Sequence, residues 1–450
     1  MSTETEEEDV EIIVIGFDDD GNEIPDEEVE DDLETDADGV ADLTFQDSDR
    51  RRMEYDNDDR FAIYKLMAYF HEDVVRSGRV FCAGAGALGN EVLKNLALLG
   101  VGEVWFCDFD DIDKSNLAKS VLFRPRHIGR PKVEVAAEVL RDMSPETKWV
   151  PKSADIRYEI GLGVFRRMDV MMSVVDSIDA RVGFNRICAA LGKPWLDAGI
   201  GELSWRVSCW DSDGGPCYEC TMDQTMRQRQ HLPYAPTCAP LAEAIREMNR
   251  QPTSPLAAAM SGALMAQEGL KLLHQAKMEN PPEQLEMPNG HQFYFGGGAP
   301  YLEVQTRRQL EGCPGHEHWG DIHEEPGFTA DGTTLRELLE KGAELLEVDV
   351  KKVAIPLGFD FIYELYCHQC KQRTERYTPR RVRNLDLSCP HCENEEARPE
   401  YKRALRVFEK FVDKPLSHMG FPKLQIFQVH GGGRNIAIEL TGDEKEVMGG

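Results

Sequence analysis

The spacing of apolar positions changes repeatedly along the chain, and each change predicts an element. Val80-Phe81-Cys82-Ala83 is an unbroken apolar run, the mark of a strand buried on both faces. Val104–Cys107 and Val170–Val175 repeat it. Between the first two runs, Val92, Leu93, Leu96 and Leu99 fall at helical spacing and predict a helix over Asn90–Leu99, stopped by Gly100. A second helix is predicted over Lys132–Met143, after Pro131, and a third, rich in small residues, over Leu256–His274. Phe61–Val75 also reads as helical. Gln292–Phe295 and Tyr301–Gln305 read as closing strands. Strands alternating with helices imply an α/β fold, Rossmann-like and doubly wound, with a mostly parallel sheet. Beyond about Glu324 the pattern changes to a helix over Thr334–Leu346, a cysteine-bearing segment and strand-like runs at Leu424–Val429 and Asn435–Leu440, an α+β unit of its own.

Charge divides the chain differently. It carries 81 acids and 51 bases, a net charge of −30. Residues 1–49 hold 22 of the acids and no Lys or Arg, so the other 401 residues have 59 acids and 51 bases. The first 50 residues therefore read as a largely disordered acidic tail, although Val10, Ile12, Val14 and Phe17 have some strand character. The expected divisions are 1–50 for the tail, 51–323 for the nucleotide-type domain and 324–450 for the C-terminal domain. A polyanion is a poor general binder of DNA or of membranes. No apolar run nears the ~18 residues of a membrane span, and no secretory signal is visible. With cysteines in metal-like spacings, this suggests a reducing, cytoplasmic compartment.

The loop Gly84-x-Gly86-x-x-Gly89 sits between the first strand and the first helix, where a phosphate can approach the helix N-terminus. The motif fits NAD as well as ATP. Residues further along the chain separate the two. Asp108 and Asp110 end the second strand, Lys119 and Lys132 supply cations with Arg124 or Arg126, and Asp176 and Asp179 come after the strand 170–175. A triphosphate calls for cations and for carboxylates that hold magnesium, whereas NAD needs one acid.

Cysteine spacing adds two sites. Cys217-x-x-Cys220 is a zinc knuckle that needs two more ligands. Cys367-x-x-Cys370 and Cys389-x-x-Cys392, 18 residues apart, form a complete zinc ribbon, with His368 and His391 as bystanders. Lys371, Arg373, Arg376, Arg380, Arg381 and Arg383 lie between the pairs, either as a solvated face or as a grip for an acidic partner, RNA or the acidic tail. Cys238 precedes Pro240 at a predicted helix start, where the dipole favours a thiolate.

Taken in order, Gly84–Gly102, Asp108-Phe109-Asp110, Ser115-Asn116-Leu117, Leu122-Phe123-Arg124-Pro125, Lys132 and Val174–Asp179 resemble the ThiF/MoeB/HesA family, which includes the adenylation domains of ubiquitin-activating enzymes. The resemblance covers roughly residues 60–320. It implies ATP with Mg2+, and as partner a small ubiquitin-like or sulfur-carrier protein ending in Gly-Gly, whose carboxylate attacks the α-phosphate. It implies Asp108 and Asp110 at the ribose, Asn116, Lys119 and Lys132 at the phosphates, and Asp179 at magnesium. It implies Cys313 and His316, or His318 in its place, as the missing zinc ligands of the knuckle. It implies Cys238 as the nucleophile that takes the carrier as a thioester, and a homodimer. Two departures stand out. The family's Arg-Gln after the Asn segment is Lys119-Ser120 here, and only Arg60 stands where the family has an Arg-rich segment. A sulfur-carrier adenylyltransferase without a thioester step is the alternative; an NAD-dependent oxidoreductase and a non-catalytic scaffold subunit are less favoured. The last residues, Met448-Gly449-Gly450, resemble a carrier's end, which leaves self-modification and an uninformative tail both open.

Overall fold

Strand residues that alternate between two faces build two cores on one sheet. In the computed structural model, residues 59–64, 67, 70–211, 214–222, 252–282, 285, 289–298, 301–379, 385–392 and 397–449 are described. The N-terminal acidic segment lies outside them. The strands are β1 (Arg79–Ala83), β2 (Glu103–Cys107), β3 (Lys148–Lys152), β4 (Val170–Ser173), β5 (Trp195–Ile200), β6 (Trp205–Trp210), β7 (His291–Gly296) and β8 (Tyr301–Thr306). They form one sheet in the order β3-β2-β1-β4-β5-β6-β7-β8. Pairing is parallel from β3 through β5 and antiparallel from β5 to β8.

Val80, Cys82, Val104, Phe106, Val170 and Met172 point into one core, with helices α2 (Ala87–Leu99), α3 (Lys132–Met143) and α6 (Pro255–Lys277), the short α1 (Glu72–Arg76) contributing Val75. Phe81, Trp105, Met171 and Trp195 point into the other, with α4 (Leu162–Arg166) and α5 (Ile178–Ala190). Both faces are buried, which is why these strands are apolar runs rather than alternations. The small residues of α6 allow close approach: a Cβ on Gly262 would lie 2.7 Å from the Glu91 Cβ, and one on Gly269 2.0 Å from the Met172 Cε.

Two predicted elements differ. Helix α2 starts at Ala87, three residues before Asn90, because the glycine loop is itself its first cap. Among the described residues, the helix expected over Phe61–Val75 is a turn at 60–63 and the single helical turn and a half of α1. His71 is extended, and its N–H goes to His274 Nε2 at 3.3 Å instead of to a helical carbonyl, so a tertiary bond overrides the local pattern.

The C-terminal elements are β9 (Ile322–Glu324), α7 (Leu335–Leu346), β10 (Ile355–Tyr366), β11 (Arg373–Pro379), β12 (Arg398–Leu405), β13 (Ile426–Gly431) and β14 (Arg434–Glu439). They make two small sheets, β11-β10-β12 and β13-β14-β9. Helix α7 is capped by a Thr334–Glu337 box and packs Leu335, Leu338, Leu339 and Leu346 into their core.

Residues 63–450 form one compact unit. The C-terminal elements are fastened to α4. Leu424 is buried in the core of Phe165 and Trp105, its carbonyl accepts from Gly163 N at 2.9 Å, and Gln425 Oε1 accepts from Leu162 N at 2.9 Å. Glu439 is fully buried and pairs with both Arg166 and Arg167, which also reach Glu324 and Glu444 at 2.7 Å. Removing that carboxylate leaves two guanidiniums facing a buried amide. Glu439→Gln is therefore expected to cost about 3 kcal/mol. A urea midpoint unchanged from wild type would overturn this. Further on, Val447 and Met448 pack against the same core, and Lys148 Nζ donates to the Met448 carbonyl at 2.8 Å. Lys148 begins β3, so this segment lies at the sheet edge opposite the glycine loop. Gly450 lies outside the described residues.

Candidate functional site

Strand β1 lies between β2 and β4, so the chain leaves it to one side and returns on the other, opening a crevice at the carboxyl ends of the strands. The loop Gly84–Gly89 fills that position. Gly84 has φ +106, a left-handed conformation that favours glycine. A Cβ on Gly89 would lie 2.2 Å from the Gly84 carbonyl oxygen. A Cβ on Gly86 would meet nothing within 4 Å, so open space stands over the N-terminus of α2, and no side chain caps that end. This fits a phosphate group. Asn90, fully buried, holds the loop: its Nδ2 donates to the Ala85 and Gly86 carbonyls at 2.8 and 2.9 Å, and its Oδ1 accepts from Leu122 N at 2.9 Å. Sequence reasoning missed this role, although a polar residue on an apolar helix face was its signal.

The acids and one lysine converge beside the loop. Asp108 accepts from Ala85 N through Oδ2 and from Asp110 N through Oδ1, both at 2.9 Å. Lys132 opens α3, and its side chain is only 10% exposed; its Nζ lies 2.9 Å from Asp110 Oδ2 and 4.0 Å from Asp108 Oδ1. Asn116 sits on the next short helical turn, where its Oδ1 accepts from Asp113 N at 3.0 Å in a capping box. Hydrogen bonds from Ser115 hold the Asp113 carboxyl below its ordinary range. Lys119 donates to Thr253 Oγ1 at 2.9 Å. Arg124 turns to its own segment, donating to the Val121 and Phe123 carbonyls.

Asp176 and Asp179 are exposed just beyond β4, Asp179 in the first turn of α5, whose cap is Ser177. The Asp179 charge acts on Arg157, which also binds Asp155 at 2.6 Å. A further cluster is not among the candidates that the motifs yield. Asp197 on β5 is fully buried between Arg181 at 2.9 Å and Arg206 at 3.0 Å. An acid inside an apolar strand was its one sequence signal.

The structure brings together the four residues that the resemblance names for the knuckle. Cys217, Cys220, Cys313 and His316 bring their donor atoms within 4.8 Å of one another. Cys217 Sγ lies 3.8 Å from Cys220 Sγ and 3.7 Å from Cys313 Sγ, and His316 Nε2 lies 3.1 Å from Cys220 Sγ. With zinc–sulfur bonds of about 2.3 Å, a tetrahedral ion sets sulfurs roughly 3.8 Å apart, against about 2.05 Å in a disulfide. The donor set therefore fits zinc. His316 and not His318 is in the group; His318 Nδ1 accepts from Gly320 N instead. Gly315 is obligatory, since a Cβ there would lie 2.6 Å from Cys217 Sγ. Behind the site, buried Glu219 takes both arms of Arg186 at 2.9 Å.

The ribbon cysteines gather as well. Cys367 and Cys392 sulfurs are 3.5 Å apart and Cys370 and Cys389 3.6 Å, with all four in one cluster and neither His368 nor His391 in it. Of the basic residues nearby, Arg373 pairs with Glu364 and lies over the Tyr366 ring, while 380–384 lie outside the described residues. Cys82, Cys107, Cys188 and Cys209 are buried; burial pushes the Cys82 thiol up to about 12 and the other three up as well, so none is poised as a nucleophile. Cys238 lies outside the described residues.

Residues 61–304, more than half of the chain, match the ThiF family. The chain belongs to the ThiF family. Over 149 residues it is 32% identical to SUMO-activating enzyme subunit 2 of Dictyostelium discoideum, covering 33% of this chain and 22% of that protein. Over 247 residues it is 28% identical to the adenylyltransferase and sulfurtransferase uba4 of Aspergillus terreus, covering 53% and 47%. The chain thus spans less than half the length of these curated relatives. Among solved structures, E. coli MccB with AMPCPP and MccA is 20% identical with a TM-score of 0.47, covering 58% of this chain and 75% of that one. The ThiF match spans the glycine loop, the Asp108–Lys132 group and Cys217 and Cys220, and ends before Cys313. None of the described helices is long and apolar enough to cross a membrane.

Proposed function

We propose that this chain uses ATP to adenylate the C-terminal glycine of a small ubiquitin-like or sulfur-carrier protein. The observation that carries it is the buried Lys132 ammonium, held 2.9 Å from Asp110 beside an open glycine loop, in a chain of the ThiF family. Adenylation needs a phosphate cradle, a cation for developing charge and acids for ribose and metal. Here Gly84, Gly86 and Gly89 form the cradle, Lys132 with Lys119 and Asn116 serves the phosphates, and Asp108 and Asp110 serve the ribose. Asp179 is the magnesium ligand suggested by the resemblance; Asp176, exposed just beyond β4, is the second candidate. Magnesium would neutralise triphosphate charge there. The carrier carboxylate oxygen attacks the α-phosphorus, pyrophosphate leaves, and an acyl-adenylate remains.

In the thioester reading, the Cys238 sulfur then attacks the acyl carbon and AMP leaves. The sulfur-carrier reading ends at the adenylate, and the mixed names among the relatives suit both. Zinc at the knuckle and at the ribbon would serve structure, and a cytoplasmic homodimer is the expected form. The NAD alternative is disfavoured by Lys132 and Lys119, and a scaffold role by the intact glycine loop.

The test is pyrophosphate exchange with diglycine-ending carriers. Wild type and Cys238→Ala are expected to exchange, and Asp176→Ala and Asp179→Ala are expected to separate, the variant that removes the magnesium ligand falling at least a hundredfold. A DTT-sensitive carrier adduct absent only in Cys238→Ala supports the thioester step. ATP binding without exchange with any carrier would favour the scaffold.

A further inference from the structure

Residues 153–161, which leave the carboxyl end of β3, touch two parts of the molecule at once. On one side Arg157, its side chain 18% exposed, donates to Asp155 through Nε at 3.0 Å and Nη2 at 2.6 Å. It also lies against α5: a Cβ on Gly183 would stand 3.1 Å from Arg157 Cγ. Gly183 follows Asp179 by four residues, one helical turn, so Arg157 packs on the face of α5 that carries that acid. The Asp179 charge reaches the guanidinium.

On the other side, the next residue meets the C-terminal elements. The Tyr158 ring packs edge-on against Phe359 at 5.1 Å, and the Arg157 guanidinium carbon lies 5.0 Å from the centre of the same Tyr158 ring. Among the described ring pairs, Tyr158–Phe359 is the one that joins the large sheet to the C-terminal elements. An irregularity places Phe359 there. Strand β10 pairs with β12 at Ile355 and Pro356 and again from Phe361, with a register shift between them, and Gly358 has φ +69. A bulge of this kind re-aims a side chain. Phe359 also packs on the C-terminal core, which anchors that end of the arrangement.

We infer that Arg157 is a positioning residue for the acids at the start of α5, braced by Phe359 through Tyr158, so that the C-terminal domain sets the metal-dependent part of nucleotide binding. This rests on the reading in which Asp176 or Asp179 holds magnesium for ATP. Arg157 acts through the carboxylate and not on the nucleotide. Fixed by Asp155 and by an aromatic ring, the guanidinium has little freedom, and an acid that faces it is oriented before an ion arrives. The residue was not among the candidates the sequence yields, because Ile156-Arg157-Tyr158 carries no motif and its brace comes from a distant strand.

Calorimetry on the full chain, with ATP in the presence and absence of magnesium, tests it on wild type, Arg157→Met, Arg157→Lys, Phe359→Ala and Phe359→Tyr. In Arg157→Met, ATP affinity with magnesium is expected to fall about tenfold or more, the scale for an outer partner of a metal ligand, while affinity without magnesium stays within about threefold of wild type. Arg157→Lys recovers part of the loss. Phe359→Ala is expected to show the same selective loss, smaller, and to add little to Arg157→Met when the two are combined, since both act along one set of contacts. Phe359→Tyr keeps the ring and behaves as wild type. An equal loss with and without magnesium overturns the inference, because it marks a role in holding the fold alone. Tighter binding with magnesium in Arg157→Met also overturns it, since the guanidinium would then compete with the ion rather than orient its ligand. Unchanged magnesium dependence in Phe359→Ala removes the C-terminal domain from the arrangement. Wild type that binds ATP equally well with and without magnesium would remove the metal reading, and wild type that binds no ATP the adenylation reading, each taking this inference with it.

Discussion

Lys132→Ala is expected to lower carrier-dependent pyrophosphate exchange by roughly two to three orders of magnitude, the scale for removing one aimed donor from a site where charge develops. The structure gives the reason for so large an effect. The Lys132 ammonium lies 2.9 Å from Asp110 and 4.0 Å from Asp108, the acid that accepts from Ala85 N in the glycine loop. Without it, in the proposed ATP-dependent reading, the two carboxylates lose the cation that offsets their charge beside the phosphate loop. The loss should fall on the rate as well as on ATP affinity, and Lys132→Arg should recover part of it, because the charge returns with a different geometry. The melting temperature should change little, since α3 keeps its packing through Val133, Ala136, Ala137 and Leu140. Exchange within threefold of wild type in a folded Lys132→Ala protein would remove this lysine from the mechanism.

The second large effect concerns metal. The purified chain is expected to carry two zinc ions, and Cys217→Ser and Cys389→Ser are each expected to lose one. Structural zinc contributes apparent free energies of about 10–16 kcal/mol, as much as the whole stability of most domains. The knuckle joins residues separated by 96 positions, so its loss should loosen the far side of the sheet. Chelation should therefore unfold the protein at a temperature where the zinc-loaded form is stable, more readily as pH falls, because protons compete for the thiolates and for His316. Gly315→Ala should weaken the same ion without removing a ligand. Metal analysis that finds fewer than two zinc ions per chain in wild type would overturn this.

The parts of the site carried by local pattern were legible in the sequence. The apolar runs and the glycine spacing located β1, the loop and α2, because both cores demand apolar residues and the turn demands glycine. Cysteine spacing marked the ribbon, which is complete within 26 residues. The first knuckle needed the family resemblance, since nothing in the spacing links Cys217 to Cys313. Asn90 and the Arg181–Asp197–Arg206 cluster were not legible. Each acts through partners from other elements, and a polar side chain carries no periodicity to announce its contacts. The same holds for His71, which is extended and bonded to His274 where the local pattern predicts helix. Parallel pairing of β9 with β14, elements more than 100 residues apart, is equally invisible to any window on the chain.

The burial of Leu424 among Phe165 and Trp105 bears on how the chain is made. The eight strands of the large sheet are all synthesised by Thr306, yet a core side chain arrives roughly 120 residues later. At ribosomal speeds of about 5–20 residues per second, the nascent sheet waits about 6–24 seconds with a hydrophobic hole beside α4. During that interval it offers a docking place for a chaperone, and a stall before residue 424 would release a fragment that has its glycine loop but not a closed core.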